Sequence, residues 1–282
     1  MIRLAAKPVT DGMEVLLRTR VTAIRKKLAR SPKLAVVIVG ENPASVIYVQ
    51  KKGEKAISLG MESETIRFPV TATPLEVKTA VDRLNQDPSV DGILIQRPLP
   101  DGFRENEVLY WVSPEKDVDA FHPENTGRLS LGLSCFKPCT PAGVMTLLKH
   151  YEIPVAGKIA CIVGRSSIVG KPMAALLLNA DATVIHCHSK TINLMALCVQ
   201  ADILVVAAGK PALIDESFIK PGAVVIDVGI HRDASGKVMG DVIYDSVIKK
   251  ASAVTPVPGG VGPMTIFKLL ENTVWAAESK RS

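Results

Sequence analysis

Short apolar runs alternate with segments of helical period along almost the whole chain, the pattern of βα units feeding a parallel sheet. In the first half, a helix is predicted over residues 13–29, a strand over 34–39 and a second helix after Asn42-Pro43. A strand at 64–68, a helix over 74–85 and a strand over 92–96 complete that series, which stops at Arg97-Pro98-Leu99-Pro100. Residues 101–137 are rich in Pro, Gly, Asn and Asp and read as connecting loops with one short helix. A helix from Pro141 through His150 then leads to Gly157 and a second series, with strands at 159–163, 183–186, 203–207 and 224–228. A turn over 256–263 and a helix to about Lys280 end the chain. The class is therefore α/β, and 282 residues lead us to expect two domains.

Composition agrees with this class. Hydrophobic residues make up 47% and aromatics only 4%, so Val, Ile, Leu and Ala carry the core, as in sheets buried on both faces. The net charge of +6 is spread along the chain with few aromatics between the cations, which argues against a nucleic-acid surface and suits an enzyme with anionic ligands. Five cysteines, Cys135, Cys139, Cys161, Cys187 and Cys198, sit mostly in apolar runs and read as reduced, buried thiols. No leader-like or membrane-spanning run is apparent, so a cytoplasmic protein is expected.

Ile159-Ala160-Cys161-Ile162-Val163 runs into Gly164-Arg165-Ser166 and then, past Gly170-Lys171-Pro172, into a helical segment. A glycine-opened turn from strand to helix turns backbone amides toward a pyrophosphate. The spacing departs from G-x-G-x-x-G, with Ser166 and Val169 at the second and third glycine positions, and such a turn can also merely reverse the chain. The next strand ends in His186-Cys187-His188-Ser189-Lys190, with no acid to bind a ribose hydroxyl. Ser189, Lys190 and Arg165 could instead donate to a ribose phosphate, which predicts NADP over NAD. His186 and His188 lack a third ligand, so packing or ribose contact, rather than a metal, is expected of them.

In the first half Ser45, Tyr48 and Lys52 stand at i, i+3 and i+7 of a predicted helix and share one face. A lysine flanked by Lys51 and Lys55 in a desolvated cleft would lose its proton more readily than a surface lysine. An ordinary amphipathic helix with a solvated lysine face is the alternative. Gln96 ends a strand where ligands bind in open α/β sheets and offers both a donor and an acceptor. Asp119, in the loop after Pro114, could accept paired hydrogen bonds from a ring, or simply order the loop.

These segments resemble the bifunctional methylenetetrahydrofolate dehydrogenase/cyclohydrolase family. The resemblance is carried by Tyr48-Val49-Gln50-Lys51-Lys52, by Gly92-Ile93-Leu94-Ile95-Gln96 with Pro98-Leu99-Pro100, and by Lys116-Asp117-Val118-Asp119. It continues through Pro138-Cys139-Thr140-Pro141, Gly164-Arg165-Ser166, Gly170-Lys171-Pro172 and Cys187-His188-Ser189 to Thr255-Pro256-Val257-Pro258-Gly259-Gly260-Val261-Gly262-Pro263-Met264-Thr265.

The resemblance implies an N-terminal three-layer α/β folate domain over residues 1–140, joined by a returning helix over 266–282, and a Rossmann-like NADP domain over 141–265, with the active site in the cleft between them. It implies NADP-dependent oxidation of methylenetetrahydrofolate, hydrolysis of the methenyl product to formyltetrahydrofolate, and a homodimer. Lys52 would be the catalytic lysine of the hydrolysis, Tyr48 would orient the folate, Gln96 would hold Lys52, and Asp119 would anchor the pteridine. Ile95, Gln96, Arg97, Pro258, Gly259 and Gly262 would contact the substrate. Gly164, Arg165, Ser166, Ser189 and Ile230 would contact the cofactor.

Two positions depart from the family pattern. Arg97 stands where Leu usually follows the glutamine, and Ala120 where Gly usually follows Lys-Asp-Val-Asp. Both bear on substrate affinity more than on the reaction. A monofunctional dehydrogenase and a silent NADP-binding protein are the competing readings.

Overall fold

The computed structural model describes residues 1–233 and 235–280. In chain order, the short strand β1 (Ile2–Arg3) precedes α1 (Ala6–Leu28), β2 (Lys33–Val39), α2 (Pro43–Ser58) and β3 (Glu62–Phe68). Next come α3 (Pro74–Gln86), β4 (Gly92–Ile95), α4 (Glu105–Val108), α5 (Pro123–Ser130) and α6 (Cys139–His150). The second series is β5 (Ile159–Val163), α7 (Gly170–Leu178), β6 (Thr183–Cys187), α8 (Leu194–Cys198), β7 (Ile203–Val206) and β8 (Val224–Asp227). A hairpin of β9 (His231–Arg232) and β10 (Val238–Met239), then α9 (Tyr244–Val247), β11 (Ala253–Val254) and α10 (Val261–Ser279), complete the chain.

The chain divides into two compact units. One comprises residues 12–128, 133–137 and 266–282; the other comprises 1–11, 129–132 and 138–265. Of the anticipated returning segment, Arg281 and Ser282 lie outside the described residues.

The first unit is built on a three-stranded parallel sheet in the order β3-β2-β4. The central strand β2 is apolar from Leu34 onward, and Ala35, Val37 and Val39 pack with Val77, Val81 and Leu84 of α3 and with Ile93 and Ile95 of β4. Both helices start where their sequences say they should. Asn42 accepts the amides of Ala44 and Ser45 ahead of Pro43, and Thr73 and Glu76 form a reciprocal capping box ahead of Pro74. Buried Asp91, just before β4, is paired with Arg30 at 2.7 Å and Lys280 at 2.9 Å, and accepts the Lys33 amide.

The second unit holds a six-stranded parallel sheet in the order β1-β11-β8-β7-β5-β6. The strand order reverses at β5, whose neighbours β6 and β7 both follow it in the chain. The carboxyl ends of strands at such a switch point are where open α/β sheets take their ligands.

Strand positions expected from the apolar runs hold to within two residues. The first helix begins at Ala6, not residue 13, because Pro8 sits in its first turn, where a missing amide costs nothing. Residues 101–137 contain two short helices, α4 and α5, instead of one. Strands β1 and β11 are two residues long, too short to leave a periodic signal. All five cysteines are buried, and none is in a disulfide. Among the described residues no helix is long and apolar enough to cross a membrane.

Candidate active site

In the first unit, α2 follows the carboxyl end of the central strand and buries Ser45, Val49, Lys52 and Ala56 as one stripe. Lys52 is only 7% exposed, so its ammonium head is drawn into the protein and is not part of a solvated face. Its Nζ donates to Gln96 Oε1 at 3.0 Å. Gln96 is oriented in turn, because its Nε2 donates to the Arg97 carbonyl at 2.7 Å and its amide N–H to the Val37 carbonyl at 2.8 Å. Ser45 Oγ also donates to the Arg97 carbonyl, at 3.4 Å. Of the cationic neighbours invoked for Lys52, Lys51 is exposed and Lys55 is occupied by Glu14 at 3.1 Å and by the Phe267 ring. Burial and the Gln96 oxygen are thus part of the surroundings of Lys52, and the charge of Lys55 is met by Glu14. Tyr48, one turn before Lys52, is half-buried, and burial pushes its hydroxyl pKa above the usual phenol value.

Asp119 reaches the same end of the sheet because its loop is stitched to β4. Ile93 donates its amide to the Lys116 carbonyl at 2.8 Å and pairs with Asp117 as an isolated bridge. Lys116 and Asp117, quoted above only as part of a motif, perform the stitching. Lys116 Nζ donates to the carbonyls of Leu84 and Asp87 at 2.9 and 2.6 Å, and burial lowers its pKa. Asp117 accepts the His122 amide and Asn125 Nδ2, while burial pushes its carboxyl up to about 6. Asp119, Ile95 and Arg97 line one small cleft with Phe121 and His122. Arg97 does not point outward. Its guanidinium lies 5.5 Å from the Phe121 ring centroid and 3.4 Å from Glu105, with its side chain 17% exposed. Ala120 adopts φ +63°, the left-handed conformation in which glycine is at home.

In the second unit the β5–α7 turn has the features of a phosphate cradle. Gly164 has φ +129°, and a Cβ there would run into the Ala207 carbonyl just past the end of β7. A Cβ on Gly170 would run into the Gly164 carbonyl, so Gly170 does the close-packing work of the third glycine, one residue later than the usual spacing. Ser166 Oγ accepts the amides of Val169 and Gly170 at 3.2 and 3.4 Å and shapes the turn from within. His186 Nε2 donates to the Gly164 carbonyl at 2.8 Å, which fixes its tautomer and gives it a packing role. Arg165 and Ser189 with Lys190 are exposed at the ends of the paired strands β5 and β6, and Ile230 is 49% exposed just past β8. These residues fit a dinucleotide phosphate: bare backbone at the turn, and cations where an NAD site would carry an acid.

Pro258 and Gly259 are exposed, and Gly262 lies in the first turn of α10. Gly259 has φ +99°, and a Cβ on Gly260 would press on the Pro256 carbonyl, so the chain's own path already demands these glycines. Sequence reasoning passed over two buried acids of this unit, Asp227 and Asp241. The available signal was a charge inside an apolar run, in Ile226-Asp227-Val228 and Asp241-Val242-Ile243.

Two family models match the chain: the tetrahydrofolate dehydrogenase/cyclohydrolase catalytic domain over residues 4–119, and its NAD(P)-binding domain over 138–281. The chain is 52% identical over 275 residues to the bifunctional protein FolD of Ligilactobacillus salivarius, covering 96% of each. The crystal structure of the bifunctional FolD dehydrogenase/cyclohydrolase from Campylobacter jejuni superposes with a TM-score of 0.96 at 47% identity, covering 99% of both chains. The Trypanosoma brucei enzyme, solved with NADP cofactor and inhibitor, gives 0.94 at 34% identity, covering 99% of this chain and 97% of that one. A buried Lys52–Gln96 pair, a loop stitched beside it and a glycine turn built for a dinucleotide thus occur in a chain that, at this identity and coverage, belongs to the tetrahydrofolate dehydrogenase/cyclohydrolase family.

Proposed function

We propose that the chain oxidises 5,10-methylenetetrahydrofolate with NADP to the methenyl compound and hydrolyses that product to 10-formyltetrahydrofolate. The observation that carries the hydrolytic half is the buried Lys52 held on Gln96, whose own orientation is fixed by the Arg97 carbonyl. When bound, the nicotinamide ring supplies the acceptor for a hydride from the methylene carbon. The ring nitrogens of the substrate drive that loss, so the protein's part in it is alignment.

Hydrolysis asks more of the side chains. Water adds to the methenyl carbon, one carbon–nitrogen bond breaks, and the released nitrogen takes up a proton. Lys52 is the group that moves protons in this step, and Gln96 keeps its Nζ at a fixed position without neutralising it. Tyr48 orients the folate ring one helical turn away, and Asp119 accepts hydrogen bonds from the pteridine edge while Ile95 and Arg97 flank it. Pro258, Gly259 and Gly262 offer further backbone contacts to the substrate. Gly164 and Ser166 would hold the cofactor's pyrophosphate, Arg165 and Ser189 with Lys190 would hold its ribose phosphate, and Ile230 would line the nicotinamide pocket. Residues 1–140 with the returning helix act as the folate domain, and 141–265 as the NADP domain. The protein works in the cytoplasm as a homodimer, a state that sedimentation equilibrium measures.

The test is to supply methylenetetrahydrofolate and NADP, follow reduced cofactor by absorbance, and quench parallel samples in acid to count one-carbon product. Reduced cofactor equal to product, with little methenyl compound surviving before the quench, is the expected result. Folate binding without reduction of NADP or NAD would overturn the reading in favour of a silent binder.

A further inference from the structure

After β8 the chain passes through Gly229 and Ile230 into the β9–β10 hairpin and returns at Gly240 and Asp241. Two buried carboxylates close this excursion. Asp227 accepts the amides of Gly229, Asp241 and Val242 at 2.9, 3.0 and 3.0 Å. Asp241, with no exposed surface, reaches across to the segment just past β7, where its Oδ2 accepts the amides of Ala208 and Gly209 at 2.7 and 2.9 Å. Its Oδ1 accepts from His231 Nε2 at 2.7 Å. The fit leaves no slack, because a Cβ on Gly229 would strike the Asp241 carboxylate and a Cβ on Gly240 would strike that of Asp227.

Burying two acids side by side is costly, and burial together with Asp241 pushes the Asp227 carboxyl up to about 6. An apolar pair would hold two strand ends together at less cost. What a carboxylate adds is a fixed direction for successive amides. The amides it fixes belong to Ala208 and Gly209, which follow Ala207, the residue whose carbonyl lies against Gly164 of the phosphate turn. The hairpin it anchors begins one residue after Ile230. All of these lie at the carboxyl edge of β5, β7 and β8, where the dinucleotide is expected.

We propose that Asp241 is a positioning residue for the nicotinamide half of the dinucleotide, holding the β7 and β8 end loops in register through Ala208, Gly209 and His231. This rests on the NADP-dependent reading above. Asp241 touches no reacting atom and acts through the loops, so its loss should weaken the dehydrogenase and spare the hydrolysis, whose Lys52 and Gln96 lie in the other unit.

The two activities give an internal control. Asp241→Asn, Asp241→Ala and His231→Gln are compared for the NADP KM and kcat of the dehydrogenase, and for decay of methenyltetrahydrofolate without nucleotide. The expected result is a rise in NADP KM of roughly tenfold for Asp241→Ala and about threefold for Asp241→Asn and His231→Gln, with hydrolysis within about twofold of the parent. An unchanged NADP KM in Asp241→Ala, or in the near-isosteric Asp241→Asn should the alanine variant not fold, overturns the proposal. So does equal loss of both activities in Asp241→Asn, which would mark plain structural support. A parent protein that reduces no NADP overturns the NADP-dependent reading itself, whereas an active parent with indifferent variants overturns only the role of Asp241.

Discussion

Lys52 Nζ and Gln96 Oε1 stand 3.0 Å apart, and the direction of that bond is settled by Gln96, whose amide nitrogen is committed to the Arg97 carbonyl. The glutamine therefore presents oxygen, not nitrogen, to the lysine. Gln96→Ala removes this acceptor. Hydrolysis is expected to fall about 100-fold, within the range for a misplaced acid/base group, while oxidation falls much less. Separate assays of methenyl decay and NADP reduction check this.

Arg97 places a cation in the cleft that also holds Asp119. Folate is an anion, so a partly buried cation flanking its ring is expected to strengthen binding through longer-range attraction by about 1 kcal/mol, roughly fivefold, at low ionic strength. Arg97→Leu should raise the folate KM by about that factor and leave kcat unchanged, with the difference fading in high salt. A KM series in potassium chloride reads this.

Ala120 poses a contest of small terms. Returning it to glycine relieves about 1–2 kcal/mol of left-handed strain. The same change forfeits about 0.8 kcal/mol of methyl burial and about 0.5–1 kcal/mol of backbone entropy. The sum is near zero, so Ala120→Gly should alter unfolding free energy by less than about 0.5 kcal/mol, which explains how alanine is tolerated here. Ala120→Val, bulky at the same φ of +63°, should cost more than about 2 kcal/mol in urea unfolding.

Asp117 makes stability depend on pH with a definite sign. Burial raises its folded pKa to about 6 from the ordinary aspartate value of 3.8. Below the unfolded value both states hold the proton. From there to about pH 6 the unfolded chain gives it up first, so stability falls as pH rises and levels off above. Asp117→Asn removes this slope and keeps an acceptor for the His122 amide. Relative to the parent, the variant should gain roughly 2–3 kcal/mol between pH 4 and 7, measured by urea unfolding at both ends.

Much of this site was legible because its chemistry sits on regular elements. The i, i+3, i+7 spacing placed Ser45, Tyr48 and Lys52 together once Asn42-Pro43 fixed the helix start, and the apolar run of β4 placed Gln96 at a strand end. Loop stitching was not legible. Nothing in Lys116-Asp117 announces that the lysine will cap two carbonyls of a preceding helix end, because those partners are about 30 residues away and not periodic. Strands β1 and β11 were hidden for a related reason: two residues of pairing leave no pattern, and β1 joins a sheet whose other strands lie more than 150 residues on. The partner of Lys55 was not legible either, because Glu14 takes it up from another helix.

Lys52→Met separates a lysine that serves the hydrolysis from one that serves the oxidation, with NADP reduction and methenyl decay measured on the same preparation. Near-parental NADP reduction, accumulation of methenyltetrahydrofolate and hydrolysis reduced by roughly 100-fold or more are the expected result. Hydrolysis at the parental rate in that variant would contradict the role of Lys52.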